Sequence, residues 1–154
     1  MIEASTDRIE KEIVMRAPRS RVWRALTDAR EFGRWFRADI KDDFVAGRPA
    51  RGRITHPGYE HVAFEVEVER IEPERLFSFR WHPYAVDPNK DYSKEPATLV
   101  VFELDEVPEG TRLRVTESGF DLIPAERRAE AFRMNSGGWE GQVKNIARHV
   151  AESK

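Results

Sequence analysis

The amino-acid sequence predicts an α+β domain in which a long carboxy-terminal helix lies across a curved, seven-stranded antiparallel sheet. Two observations carry this expectation. Trp139, Val143, Ile146 and Val150 step by four, three and four residues, which places them on one face of a helix. Upstream, several segments alternate apolar and charged residues, as half-buried antiparallel strands do. A helix laid across such a sheet leaves a space between the two, and what fills that space decides the function.

The elements follow in order. Residues 8–16 read as a first strand with Ile9, Ile13 and Met15 on one face. Pro18 opens a helix, where its missing amide costs nothing and its fixed φ helps. That helix carries Val22, Trp23, Ala25 and Leu26 inward and stops near Thr27-Asp28; a short second helix holds Phe32, Trp35 and Phe36. Two small strands are expected around 37–45 and 50–56, separated by a turn at Gly47-Arg48-Pro49.

From His61 to Arg70 the period of two is at its cleanest, with Val62, Phe64, Val66 and Val68 facing one way and Glu65, Glu67 and Glu69 the other. A turn at 72–75 leads to a fifth strand with Phe77, Phe79 and Trp81 on one side, and residues 84–96 form a long polar loop. The sixth strand places Thr98, Val100, Phe102 and Leu104 inward. After the turn at Pro108-Glu109-Gly110, a seventh carries Leu113, Val115 and Glu117 on one face and Arg112, Arg114 and Thr116 on the other. Glutamates on one outer strand and arginines on others (Arg80, Arg112, Arg114) read as a solvated surface with cross-strand ion pairs worth about 0.2–1 kcal/mol each.

Composition bounds the function. The 154 residues suit one domain (1–154), and 26 basic against 28 acidic residues give a net charge of −2, with no overall field to hold nucleic acid. The four arginines in 16–24 read as a solvated helix face. No apolar run approaches the roughly 20 residues of a membrane span. The polar, acidic start MIEASTDRIEKE is unlike a signal peptide, so a cytoplasmic location is expected. Zero cysteines remove disulfides, thiolate ligands and a cysteine nucleophile together. The four histidines (His56, His61, His82, His149) lack ligand-like spacing, so no metal is expected. No phosphate loop, dinucleotide fingerprint or GxSxG elbow is present, and no cofactor is expected.

Five segments, taken in order, resemble a known family: EIVMRAPRSRVWRALTD (12–28), FGRW (32–35), VERIEPERLFSFRW (68–81), GTRLRVTESGF (110–120) and GGWEGQVKNIARHV (137–150). Together they are similar to the SRPBCC, or START-like, superfamily, in its branch related to the C-terminal domain of the heat-shock-protein-90 ATPase activator. The resemblance covers roughly residues 8–151. It implies a helix-grip architecture, with the sheet wrapped around the long helix and two short helices after the first strand. It also implies an apolar or aromatic small molecule held between sheet and helix. Some members catalyse cyclisation or related reactions, and some act as co-chaperone modules, so a chaperone is a further possible partner.

The expected ligand contacts are the aromatic residues Trp35, Phe64, Phe77, Phe79, Trp81, Phe102, Phe132 and Trp139, with Val66, Val100, Val115, Glu117, Asn135 and Val143 beside them. The alternative is that these rings fill the core by themselves. His82 and Tyr84 begin the long loop and either rim the mouth of such a pocket or have ordinary surface roles. Glu117 is the unusual placement, because parity with Leu113 and Val115 aims its carboxylate at the helix. So placed it must be protonated, paired or facing a wet cavity, and the expectation is that its charged form is disfavoured. It would then anchor a polar group of a ligand or act as a general acid or base. A bulge near Gly119 would instead turn it outward. If the last helix runs unbroken through Gly137-Gly138, Arg128 or Asn135 can meet Glu117; if not, Asn135-Ser136 caps a helix restarted at the glycines. The helix cost of two adjacent glycines is expected to reflect close packing against the sheet, with a hinge as the alternative.

Overall fold

A computed structural model describes residues 7–152; the first six residues of the polar amino-terminal stretch and the last two of the chain lie outside the described residues. Seven strands form one antiparallel sheet in the order β1-β7-β6-β5-β4-β3-β2. They are β1 (Arg8–Met15), β2 (Ala38–Ile40), β3 (Pro49–Ile54), β4 (Ala63–Glu72), β5 (Leu76–Trp81), β6 (Thr98–Val107) and β7 (Gly110–Ser118). Helices α1 (Arg19–Thr27) and α2 (Ala29–Phe36) follow β1, and α3 (Ala125–Glu152) closes the fold. This is the helix-grip architecture.

Local chemistry explains the boundaries. Pro18 caps α1 in an extended conformation (φ −70°, ψ 155°), one position before the first helical turn. Asp28 ends α1 and begins α2, its carboxylate accepting from the amides of Arg30 (2.9 Å) and Glu31 (3.1 Å). Gly47 turns β2 toward β3 with φ +82°, and both strands are shorter than the alternation in the sequence suggests. The inward faces are those the pattern predicts: Phe64, Val66, Val68, Phe77, Phe79, Thr98, Val100, Phe102, Leu104, Leu113, Val115 and Glu117 are all buried, and Thr116, expected on the outer face, is buried as well. Outside, Arg80 pairs with Glu69 (2.7 Å), Arg112 with Asp105 (3.2 Å) and Arg114 with Glu12 (2.8 Å).

The centre of the molecule is filled. Phe32, on α2, has ring neighbours in Trp35 (4.3 Å between centroids), Phe64 (5.9 Å), Phe79 (6.1 Å) and Phe102 (6.3 Å). Phe77 stacks on Phe102 at 5.8 Å, and Trp139 meets the edge of Phe102 at 5.7 Å. These edge-to-face and offset contacts pack the middle of the sheet solidly against α2 and α3. The open space expected beneath the long helix is therefore absent there, because α2 drives a phenylalanine into it.

Helix α3 runs unbroken for 28 residues and buries Trp139, Val143, Ile146 and Val150. Gly137 and Gly138 are exposed, and a methyl group built on either meets nothing within 4 Å. The close packing expected of them is not what the structure has. Alanine at either position is accordingly expected to stabilise the protein by about 1 kcal/mol through helix propensity. An increase in the urea midpoint checks this, and a decrease would mean that the glycines serve a bend.

Candidate functional site

Three strands and α3 converge on one carboxylate. Trp81 closes β5 and lies opposite Thr98 at the start of β6; Glu117, near the end of β7, lies opposite Val100. Strand alternation turns all three side chains toward α3, where Asn135 and Trp139 stand one turn apart on the facing side. Glu117 is completely buried, at 0% exposure. Its Oε1 accepts from Trp139 Nε1 (2.8 Å) and Asn135 Nδ2 (2.9 Å); its Oε2 accepts from Trp81 Nε1 (2.7 Å) and Thr98 Oγ1 (2.6 Å).

Indole and amide N–H groups can only donate, so this surrounding matches an acceptor-only, ionised carboxylate with its lone pairs filled. The expectation of a disfavoured charged form thus meets an environment built of donors. Parity predicts the inward direction correctly, since the left-handed Gly119 (φ +103°) comes only after Glu117. Of Asn135 and Arg128, Asn135 reaches it. Arg128 does not: its Nε donates to the carbonyl of Ile123 at 3.0 Å.

Beside this cluster lies a cavity of about 300 Å³. Its position follows from the sheet, because the pairing of β4 with β5 ends at Glu67↔Arg80. One residue beyond that pair β5 gives way to a loop, and the cavity lies between this loop, the start of β4 and α3. Phe36 closes it from α2, Tyr59 from the β3–β4 turn, Phe64 from β4, Trp81 and Tyr84 from β5 and the loop after it, and Met134, Asn135 and Gln142 from α3. A smaller recess of about 110 Å³ continues beneath it, between Phe36, Trp81, Asn135, Gly138, Trp139 and Gln142. Trp81 and Trp139 stack there at 5.8 Å and 28°.

The loop between β5 and β6 forms the outer wall. His61 Nε2 donates to the carbonyl of Val86 (3.1 Å) and His82 Nε2 to that of Glu95 (3.0 Å). Arg127 of α3 ties the loop down through Glu95 (2.6 Å) and the carbonyl of Pro83 (2.8 Å), with its guanidinium 4.8 Å from the ring centre of Tyr92. Burial acts to raise the pKa of Glu95, but hydrogen bonds and charge from Arg127 and Lys90 outweigh it and hold the carboxyl below its ordinary value of 4.5. Tyr84 has left-handed backbone (φ 49°), and burial, followed by the nearby charge of Glu130, raises its hydroxyl pKa.

Of the ligand contacts expected from the sequence, Phe64, Trp81 and Asn135 line the cavity, and Trp139 lines the adjoining recess. Trp35, Val66, Phe77, Phe79, Val100, Phe102, Val115 and Val143 are core residues, and the Trp35 indole is used internally, donating to the carbonyl of Ala25 at 2.8 Å. Phe132 packs edge-on against Phe120 at 5.2 Å, on neither cavity. Glu117 sits behind the cavity wall. His82 and Tyr84 do line the mouth. Sequence reasoning missed Phe36, Tyr59, Met134 and Gln142; of these only Gln142, one helical turn beyond Gly138 and seven residues from Asn135, shares a readable stripe.

A seven-stranded sheet gripping one long helix, with an apolar cavity at the mouth, defines a START-like helix-grip domain. The chain belongs to the family described as Activator of Hsp90 ATPase homolog 1-like protein, whose sequence profile matches residues 16–151. No curated protein matches it in sequence. Among solved structures it is similar to MLL2253 from Mesorhizobium loti, with a TM-score of 0.74 and 22% identity over 96% of this chain and 98% of that one. It is also similar to DynU16, a protein in the dynemicin biosynthetic locus, with a TM-score of 0.72 and 25% identity over 94% of this chain and 47% of that longer one. The Aha1 dimer from Colwellia psychrerythraea matches with a TM-score of 0.68 and 17% identity, over 93% of this chain and 95% of that one. Among the described residues no helix is long and apolar enough to cross a membrane.

Proposed function

We propose that the protein binds an apolar, aromatic small molecule in the cavity between the end of the sheet and α3. The observation that carries this is the cavity of about 300 Å³ walled by Phe36, Tyr59, Phe64, Trp81 and Tyr84. It sits at the bottom of the usual size range for small-molecule sites, room for a guest of two or three fused rings. A domain gains no stability from leaving that much aromatic surface uncovered, since filling it would add apolar burial.

Binding is favoured over acid–base catalysis by Glu117. Both of its oxygens are already saturated by protein donors, and a general acid or base needs a lone pair or proton free to reach the guest. In this reading Glu117 is a positioning residue that fixes the rotamers of Trp81, Trp139 and Asn135. The test is native mass spectrometry of freshly purified protein, followed by displacement of a fluorescent apolar dye. A co-purified mass and competitive displacement are expected, and Val62→Trp, which places an indole in the cavity, is expected to weaken dye binding at least about tenfold. Undiminished dye binding in that variant would move the ligand elsewhere.

A further inference from the structure

Resting on that reading, we infer that the ligand carries a positive charge: the cavity is built for an aromatic or alkyl ammonium rather than a carboxylate. Three features point this way. Five aromatic rings line the walls, and among the described lining residues there is no lysine or arginine. His56 and His82 also line it, each with one ring nitrogen committed to a backbone carbonyl, so an apolar acid would find no lysine or arginine to pair with, whereas an ammonium has ring faces to approach.

The second feature is the charge behind the wall. Glu117 is buried with four neutral donors and no cation among them, so its negative charge is not cancelled locally. Two of its donors, Trp81 and Asn135, also form the cavity lining. Its field therefore reaches the cavity through the indole of Trp81, across a low-dielectric medium that screens it weakly. Third, accepting the N–H of an indole on an anion pushes electron density into the ring. Tryptophan is already the best cation–π partner, and Glu117 makes both stacked indoles more electron-rich. At the rim Glu65 is held by Arg51 (3.1 Å), while Glu130 and Arg133 act on Tyr84 in opposite senses, so neither reverses the sign.

Three matched probes test this by calorimetry at pH 7 on the full chain: 1-naphthylmethylamine, 1-naphthalenemethanol and 1-naphthoate. The ammonium is expected to bind at least about tenfold tighter than the alcohol, and the carboxylate weakest. Glu117→Gln, with folding verified by circular dichroism, is expected to shrink the gap between ammonium and alcohol to about threefold or less. Trp81→Phe, which keeps a ring but loses the indole N–H, is expected to shrink it as well. Alcohol or naphthoate binding as tightly as the ammonium overturns the charge preference and leaves the aromatic cavity standing. No binding by any probe at millimolar concentration overturns both. An unchanged gap in Glu117→Gln overturns the role given to the buried carboxylate, and the wild-type comparison decides the charge question even if that variant does not fold.

Discussion

Glu117→Gln is expected to lower the unfolding free energy by about 2–3 kcal/mol although it changes side-chain shape hardly at all. The amide would present an NH2 where two donors already point, leaving at least one pair N–H against N–H in a fully buried site. Glu117→Ala is expected to cost more, about 4–5 kcal/mol, because four buried donors lose their acceptor together at roughly 1–3 kcal/mol each, partly relieved by relaxation. Desolvating a carboxylate is expensive, but here the cost is met by four short hydrogen bonds to a charged acceptor, and removing the charge strands the donors rather than recovering it. Urea unfolding gives the free energy, and tryptophan emission gives an independent readout since two of the four indoles in the chain bond to this group. A glutamine variant as stable as the parent would mean the carboxylate is not the organising charge of the site.

Phe102→Ala is the companion result, with an expected loss of about 3–5 kcal/mol. The ring is fully buried and lies between Phe77, Phe79, Phe32 and Trp139. Its removal leaves an apolar void that the strands of a hydrogen-bonded sheet cannot close, so the site stays dry. Benzene or a small arene is expected to restore part of the lost stability by occupying it, measurable as a rise in melting temperature that saturates with ligand. A loss below about 1 kcal/mol would show that the centre is loosely packed after all.

Much of the fold was legible because single residues have to satisfy one rule at a time. Alternation in β4 to β7 separates a buried from a solvated face, so Phe64, Phe79, Phe102 and Val115 declare their direction individually. Glu117 obeys the same rule, and its inward aim follows from Leu113 and Val115 whatever its charge. Asn135 was reachable by stepping one turn back from Trp139. The cavity was not legible, because empty volume depends on which rings meet and not on which way each one points. Phe32 and Phe36 sit on the same short helix, four residues apart; the first plugs the centre and the second walls the opening, and nothing local distinguishes them. The outer wall depends on how residues 82–97 leave the sheet, and Arg127 fixes that course from 32 and 44 residues downstream of its partners Glu95 and Pro83. The twin glycines mislead in the opposite way, since they suggest a contact at a spot where α3 faces open space.

The position of the cavity beside the loop after β5 has a kinetic consequence. A guest that enters past the loop after β5 has no need to pry the long helix from its bed, so exchange can proceed without disturbing Phe102 or Ile146. Its dwell time would then be governed by its own grip on the rings, and by how often the Arg127–Glu95 latch releases, rather than by partial unfolding of the domain.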